Sequence, residues 1–225
     1  MLNTLHRTLF PHLCISCGDR MHSTHEFLCM RCEMRLTHSL MPSGLQPLEP
    51  VFWGRLMLHG AYSNYFFTRG STVQELMHTL KYGGDPRVAH HFGKRFGASL
   101  VRLEQPPQLD MIVPVPLHPK KERIRGFNQA YMLARGMSDA TGIPVSTALQ
   151  RTEHRQSLTR LNRMARWQQS ERLYQLLPEK LEGKRIMLVD DVVTTGATLD
   201  ICGSLMMAAE PAALYVGALA QTKKF

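Results

Sequence analysis

Two hydrophobic periods alternate along this chain, and each change of period marks a new element. Val73, Leu76, Met77 and Leu80 recur at helical spacing behind Ser71-Thr72-Val73-Gln74, which reads as a capping box. That helix is predicted to end at Gly83-Gly84, and Pro86 suits the first turn of another, running to about Leu103. Val51 to Phe67, aromatic and apolar, reads as the opening strands of a domain. Leu109 to Val115 reads as a strand that must end near Pro114 and Pro116. A helix is predicted over Phe127 to Ala140, with Gly142 as its stop, then a strand over Ile143 to Leu149. Lys184 to Val189 reads as a strand, Thr198 to Ala209 as a helix and Ala212 to Thr222 as the last strand. Strands that alternate with helices imply an α/β domain with a mostly parallel sheet and right-handed crossovers.

Chemistry is most legible between Ile186 and Leu199. The unbroken run Ile186-Met187-Leu188-Val189 suits a central strand covered on both faces. Asp190 and Asp191 follow at its carboxyl end, where open α/β sheets place their ligands. Two carboxylates can accept hydrogen bonds from a pair of sugar hydroxyls. Thr194, Thr195, Gly196, Ala197 and Thr198 then make a small-residue loop feeding a helix. Backbone N–H groups, hydroxyls and the helix N-terminus suit such a loop to a phosphate. A ribose 5-phosphate moiety would satisfy both halves. A receiver-type phosphoacceptor pair fits poorly, because that pair follows the first strand of its domain.

Composition changes the picture in three ways. The 225 residues, 44% of them hydrophobic, allow one medium domain with a core plus a small module. No stretch approaches the roughly 20 apolar residues of a membrane helix, and no signal peptide is evident, so a cytoplasmic protein without membrane insertion is expected. A net charge of +9 favours polyanionic partners, nucleic acid or phosphorylated substrates.

Four of the five cysteines form two C-x-x-C pairs, Cys14/Cys17 and Cys29/Cys32, within the first 32 residues. Four thiolates complete a tetrahedral zinc site with no position open for catalysis. A four-cysteine zinc ribbon is therefore expected over residues 1–38, its folding driven by the metal. His12, His22, His25 and His38 lie nearby and are read as surface residues. Ser39 to Pro50 has linker composition, leaving 51–225 for the α/β domain. Cys202 reads as a buried small hydrophobe.

Two basic segments remain. Pro114-Val115-Pro116-Leu117-His118-Pro119 leads to Lys120, Lys121, Arg123, Arg125, Gly126, Phe127, Asn128 and Gln129. Beside the Asp190 loop, its cations could hold a pyrophosphate leaving group. Arg151 to Arg166 carries five arginines and one acid. It could close as a lid, or carry single-stranded nucleic acid with Trp167 and Tyr174 as stacking platforms.

LVDDVVTTGAT resembles the phosphoribosyl-pyrophosphate (PRPP) motif of type I phosphoribosyltransferases. The order of zinc knuckles, LKYGG, VPVPLH, RGFNQA, RQSLTRLNR and LVDDVVTTGAT resembles the ComF family of competence-associated, phosphoribosyltransferase-like proteins over nearly the whole chain. The resemblance implies a type I phosphoribosyltransferase-like sheet with helices on both faces, behind the zinc ribbon. It implies PRPP binding by Asp190, Asp191, Val192, Val193, Thr194, Thr195, Gly196, Ala197 and Thr198, with Mg²⁺ carried by PRPP. Lys81, Arg125, Gly126, Asn128 and Gln129 are implied as pocket residues, and Gln156, Leu158 and Arg163 as parts of a hood. It also implies a role in uptake of single-stranded transforming DNA beside a helicase-like partner. Catalysis stays open: no residue is an evident general base, and no segment identifies an acceptor. The alternatives are a catalytically silent DNA-binding uptake factor and a purine- or pyrimidine-type base phosphoribosyltransferase.

Overall fold

A computed structural model of the chain describes residues 12–21, 26–36, 44–152 and 173–222. Seven strands and six α-helices are found among them. The strands are β1 Gln46–Pro47, β2 Gly60–Phe67, β3 Met111–Pro114, β4 Leu149–Arg151, β5 Tyr174–Leu176, β6 Arg185–Val193 and β7 Ala213–Thr222. The helices are α1 Met30–Leu36, α2 Thr72–Tyr82, α3 Pro86–Val101, α4 Pro119–Arg125, α5 Gln129–Thr141 and α6 Ala197–Met207. Five strands form the main sheet in the order β1-β2-β7-β6-β3, parallel except for the short edge strand β1. Strands β4 and β5 pair antiparallel as a separate ribbon.

The apolar run expected to be covered twice is covered twice. Along β6, Met187 and Val189 face the cluster built by α2, α3 and α5, whereas Ile186 and Leu188 face the one built by α6 and the β4–β5 ribbon. The alternation follows from the two-residue period of a strand. On the first face α3 and α5 cross at near backbone contact. A Cβ on Gly93 would sit 2.1 Å from the Leu133 carbonyl oxygen, and one on Gly136 would sit 2.0 Å from that of His90. Ser71 caps α2 by accepting from Gln74 N–H at 3.2 Å, while the Gln74 side chain accepts from Gly70 N–H.

Three expectations are revised by backbone chemistry. The strand expected over Ile143–Leu149 reduces to a single bridge, Val145 to Ile112, because Pro144 offers a carbonyl but no N–H to a ladder. The strand expected to stop at Val189 runs on to Val193, paired with β7 as far as Gln221, so the two acids lie inside the ladder. From Gly44 onward the linker-like stretch is packed structure: Leu45 and Leu48 are buried, and Gln46 and Pro47 pair with Ser63 and Tyr62.

The N-terminal module sits on the first face. Its buried Cys14, Leu28, Cys32 and Leu36 belong to the same apolar cluster as α2 and α3. Polar contacts extend the interface: Arg95 pairs with Glu33 at 2.5 Å, and His91 Nδ1 lies within hydrogen-bond distance of Glu26, at 2.5 Å. No described helix is long and apolar enough to cross a membrane.

Candidate functional site

The carboxyl ends of β3 and β6, the N-terminus of α6 and the first residues of α5 enclose a cleft of about 390 Å³. Asp190 and Asp191 form its floor, with Lys81 from the last turn of α2 placing its Nζ 3.8 Å from an Asp191 oxygen. Lys121 and Arg125 from α4, and Arg151 and Tyr174 from the β4–β5 ribbon, complete the wall. Burial, with the neighbouring Asp191 charge, drives the Asp190 carboxyl well above the usual carboxylate range. The Asp191 N–H and Lys81 oppose that rise. Four cations, Lys81, Lys121, Arg125 and Arg151, thus share the cleft with an acid pair that holds its first proton unusually tightly.

Thr194 to Thr198 wrap a smaller concavity that Asp190 also lines. The turn depends on Gly196, whose φ of +79° suits glycine. A Cβ there would also stand 2.8 Å from Val51 and 3.0 Å from Phe52. Behind the loop, Arg55 donates to the Thr195 carbonyl at 2.8 Å and to the Val51 carbonyl, and pairs with Asp200 at 2.6 Å. Asp200 is 1% exposed. One guanidinium thus ties the loop to the first turn of α6. Neither residue was singled out from sequence, since Arg55 lies 140 positions from the loop it holds. Arg55→Ala should destabilise the protein by about 3 kcal/mol, because it removes a charged partner from a buried carboxylate. Urea unfolding measures this, and a loss under about 1 kcal/mol would mean that the pair acts like an exposed one.

Of the pocket residues implied by resemblance, Lys81, Arg125, Asn128, Gln129, Asp190, Asp191, Val192, Thr194 and Thr198 line the cleft. Thr195, Gly196 and Ala197 line the loop concavity, and Val193 is buried in the second core. The RGFNQA polar groups are largely engaged with the fold. Asn128 caps α5 through Ala130 N–H at 3.0 Å and donates to the Val115 carbonyl at 3.0 Å. Gln129 accepts from Arg125 at 2.9 Å, aiming that guanidinium. Gly126 ends α4 with a φ of +85°. Gln156, Leu158, Arg163 and Trp167 lie outside the described residues. Tyr174 is not a free stacking platform: it is 5% exposed, and Arg151 stands over its ring at 5.2 Å. Burial pushes its hydroxyl up to about 12.

The four thiols of Cys14, Cys17, Cys29 and Cys32 lie within 4.8 Å of one another, with Cys17 and Cys29 sulfurs 3.7 Å apart. A tetrahedron with metal–sulfur bonds near 2.3 Å has edges of about 3.8 Å. The donor set therefore fits one tetrahedral ion. Gly18, at a φ of +73°, closes the first knuckle by donating to the Cys14 carbonyl, and the second pair opens α1. Among the described histidines, His12 is not part of the cluster.

No protein-family model matches the chain. It is 28% identical over 215 residues to the DNA utilization protein YhgH of Escherichia coli strain K12, covering 93% of this chain and 90% of that protein. It is 29% identical over 203 residues to the competence protein ComFC of Bacillus subtilis strain 168, covering 87% and 72%. It is 25% identical over 215 residues to competence protein F of Haemophilus influenzae, covering 88% and 91%. The chain is a homologue of these competence and DNA-utilization proteins. Solved structures similar to it include the allosteric regulatory enzyme of purine biosynthesis, at 22% identity and a TM-score of 0.45. That match covers 62% of this chain and 29% of the enzyme, so the chain spans less than a third of it. A hypoxanthine phosphoribosyltransferase of Trypanosoma cruzi is similar at 17% identity and a TM-score of 0.36, covering 63% and 69%.

Proposed function

We propose that this protein binds PRPP with Mg²⁺ in the cleft over β6 and serves in the handling of single-stranded transforming DNA. One observation carries the ligand: an acid pair in the last residues of a central strand is separated by two residues from a small-residue loop at a helix N-terminus, beside one cation-lined cleft. In this reading Asp190 and Asp191 accept from the ribose 2- and 3-hydroxyls. The 194–198 loop takes the 5-phosphate, and Lys81, Lys121 and Arg125 face the pyrophosphate. Mg²⁺ bound to PRPP would neutralise pyrophosphate charge beside the acids. Gly126, Asn128 and Gln129 support that wall by ordering α4 and α5, and Gln156 and Arg163 would belong to a hood over it. PRPP at 100 times its Kd should stabilise the protein by about 2.7 kcal/mol, or roughly 5–10 °C in melting temperature. No shift at millimolar PRPP would count against the ligand.

The cysteine cluster is proposed to hold a structural zinc ion in a module spanning 1–38. The fit of its sulfur–sulfur spacing to a tetrahedral site supports this. Nucleic acid is supported by the net charge of +9 and by the names of the relatives. A cytoplasmic site of action and a helicase partner belong to the same proposal. If the arginines of 151–166 contact DNA phosphates, single-strand affinity should fall by orders of magnitude between about 50 and 200 mM salt. Binding indifferent to salt would remove that contact. Retained transferase chemistry would require an acceptor at the anomeric carbon; without one, the site acts as a PRPP sensor.

A further inference from the structure

The two arginines that flank the 194–198 loop differ in what they already hold. Behind the loop, the Arg55 guanidinium is engaged by Asp200 and by two carbonyls. On the cleft side, Arg151 ends β4 with a buried Nε that has no hydrogen-bond partner. Its guanidinium carbon lies 5.2 Å from the centre of the Tyr174 ring. Tyr174 and Thr198 line the same cleft beside it. Arg151 is also close enough to act electrostatically on Cys202, one turn further along α6. These contacts bracket the guanidinium beside the first turn of α6, in the cleft that Thr198 and Asp190 line.

A buried N–H donor left unmet, such as the Arg151 Nε, is unfavourable unless something else supplies an acceptor. The face of Tyr174 offsets part of that cost. The loop itself offers only neutral donors, backbone N–H groups and threonine hydroxyls. A phosphate monoester in the loop would present acceptor oxygens whose geometry suits the planar fork of arginine.

We propose that Arg151 is a direct ligand of the phosphate held by the 194–198 loop, and that Tyr174 positions it there. This rests on the sugar-phosphate reading of the cleft and deepens it. Arg151 then supplies the formal charge that makes this end of the site select a phosphomonoester dianion.

The test uses the full-length protein and two probes, ribose 5-phosphate and Mg²⁺-pyrophosphate, titrated into wild type, Arg151→Ala and Arg151→Lys. Arg151→Ala should weaken ribose 5-phosphate by about 10- to 100-fold while changing pyrophosphate less than about twofold. Arg151→Lys should recover part of the loss. Wild-type affinity for ribose 5-phosphate should also climb through the phosphate's second ionisation near pH 6, and Arg151→Ala should flatten that climb. Undiminished ribose 5-phosphate binding by Arg151→Ala would overturn the assignment alone. Equal losses for both probes would mean that Arg151 only holds the fold, and would overturn it too. Wild type that binds neither these probes nor PRPP would overturn the sugar-phosphate reading and this assignment together.

Discussion

Asp190→Asn should make the ligand-free protein more stable at neutral pH and, in the same molecule, abolish PRPP binding. Burial in the cleft floor and the neighbouring Asp191 charge raise the Asp190 carboxyl well above its ordinary range. The folded state therefore holds that proton more tightly than the unfolded chain does. Stability then falls as pH rises above about 4, where the unfolded carboxyl ionises, and goes on falling until the folded one has ionised too. Asparagine carries no such proton and removes that fall, yet its neutral amide is a weaker acceptor for a sugar hydroxyl than the carboxylate that bound PRPP would draw into its ionised form. Melting curves of the ligand-free proteins from pH 4 to 8 check the stability, with the wild type declining relative to the variant across the range, and PRPP titration into the variant checks the binding. A variant less stable than wild type at pH 7 would show that Asp190 is held ionised by partners stronger than Lys81. A trade of stability for function is what a charged binding site in a low-dielectric cleft should show.

The second large effect lies in the N-terminal module. Chelating zinc should unfold it, because structural zinc contributes on the order of 10 kcal/mol to such units. Leu28, Leu36, Cys14 and Cys32 share their apolar cluster with α2 and α3, so the loss should also lower the melting temperature of the main domain. The thiols differ before metal arrives. Burial opposes the Cys14 thiolate, but backbone N–H groups of Cys29, Cys17 and Ser16 outweigh it and bring the thiol down to about 7. Burial pushes Cys32 up to about 12. Metal must therefore displace at least the Cys32 proton at neutral pH, and zinc affinity should climb with pH. Metal analysis should find one zinc per chain, lost in Cys32→Ser. A metal-free protein with an unchanged melting curve would remove the zinc site.

What could be read from sequence was what local chemistry determines. Ser71 and Gly142 mark helix ends because capping and left-handed stops need those residue types within a few positions. Ile186 to Val189 announced a doubly covered strand because no polar residue interrupts it. The acids and the threonine–glycine loop were legible because a phosphate turn concentrates its residues in one short segment. Long-range pairings were not legible. Arg55 touches the loop from 140 residues away, and Arg151 enters the cleft only because the β4–β5 ribbon folds back over α6. The polar residues of RGFNQA drew attention as ligand contacts, whereas Asn128 caps a helix and Gln129 aims Arg125. A motif shows which residues matter locally, but the assignment of their hydrogen bonds waits on the neighbours that folding brings.

Calorimetric titration of PRPP with Mg²⁺ into wild type and into the double variant Asp190→Asn/Asp191→Asn tests the central claim most directly. Saturable, one-to-one binding by the wild type and none by the variant is expected, with both proteins folded. Binding that survives loss of both carboxylates, or a folded wild type that takes up no PRPP, would contradict it.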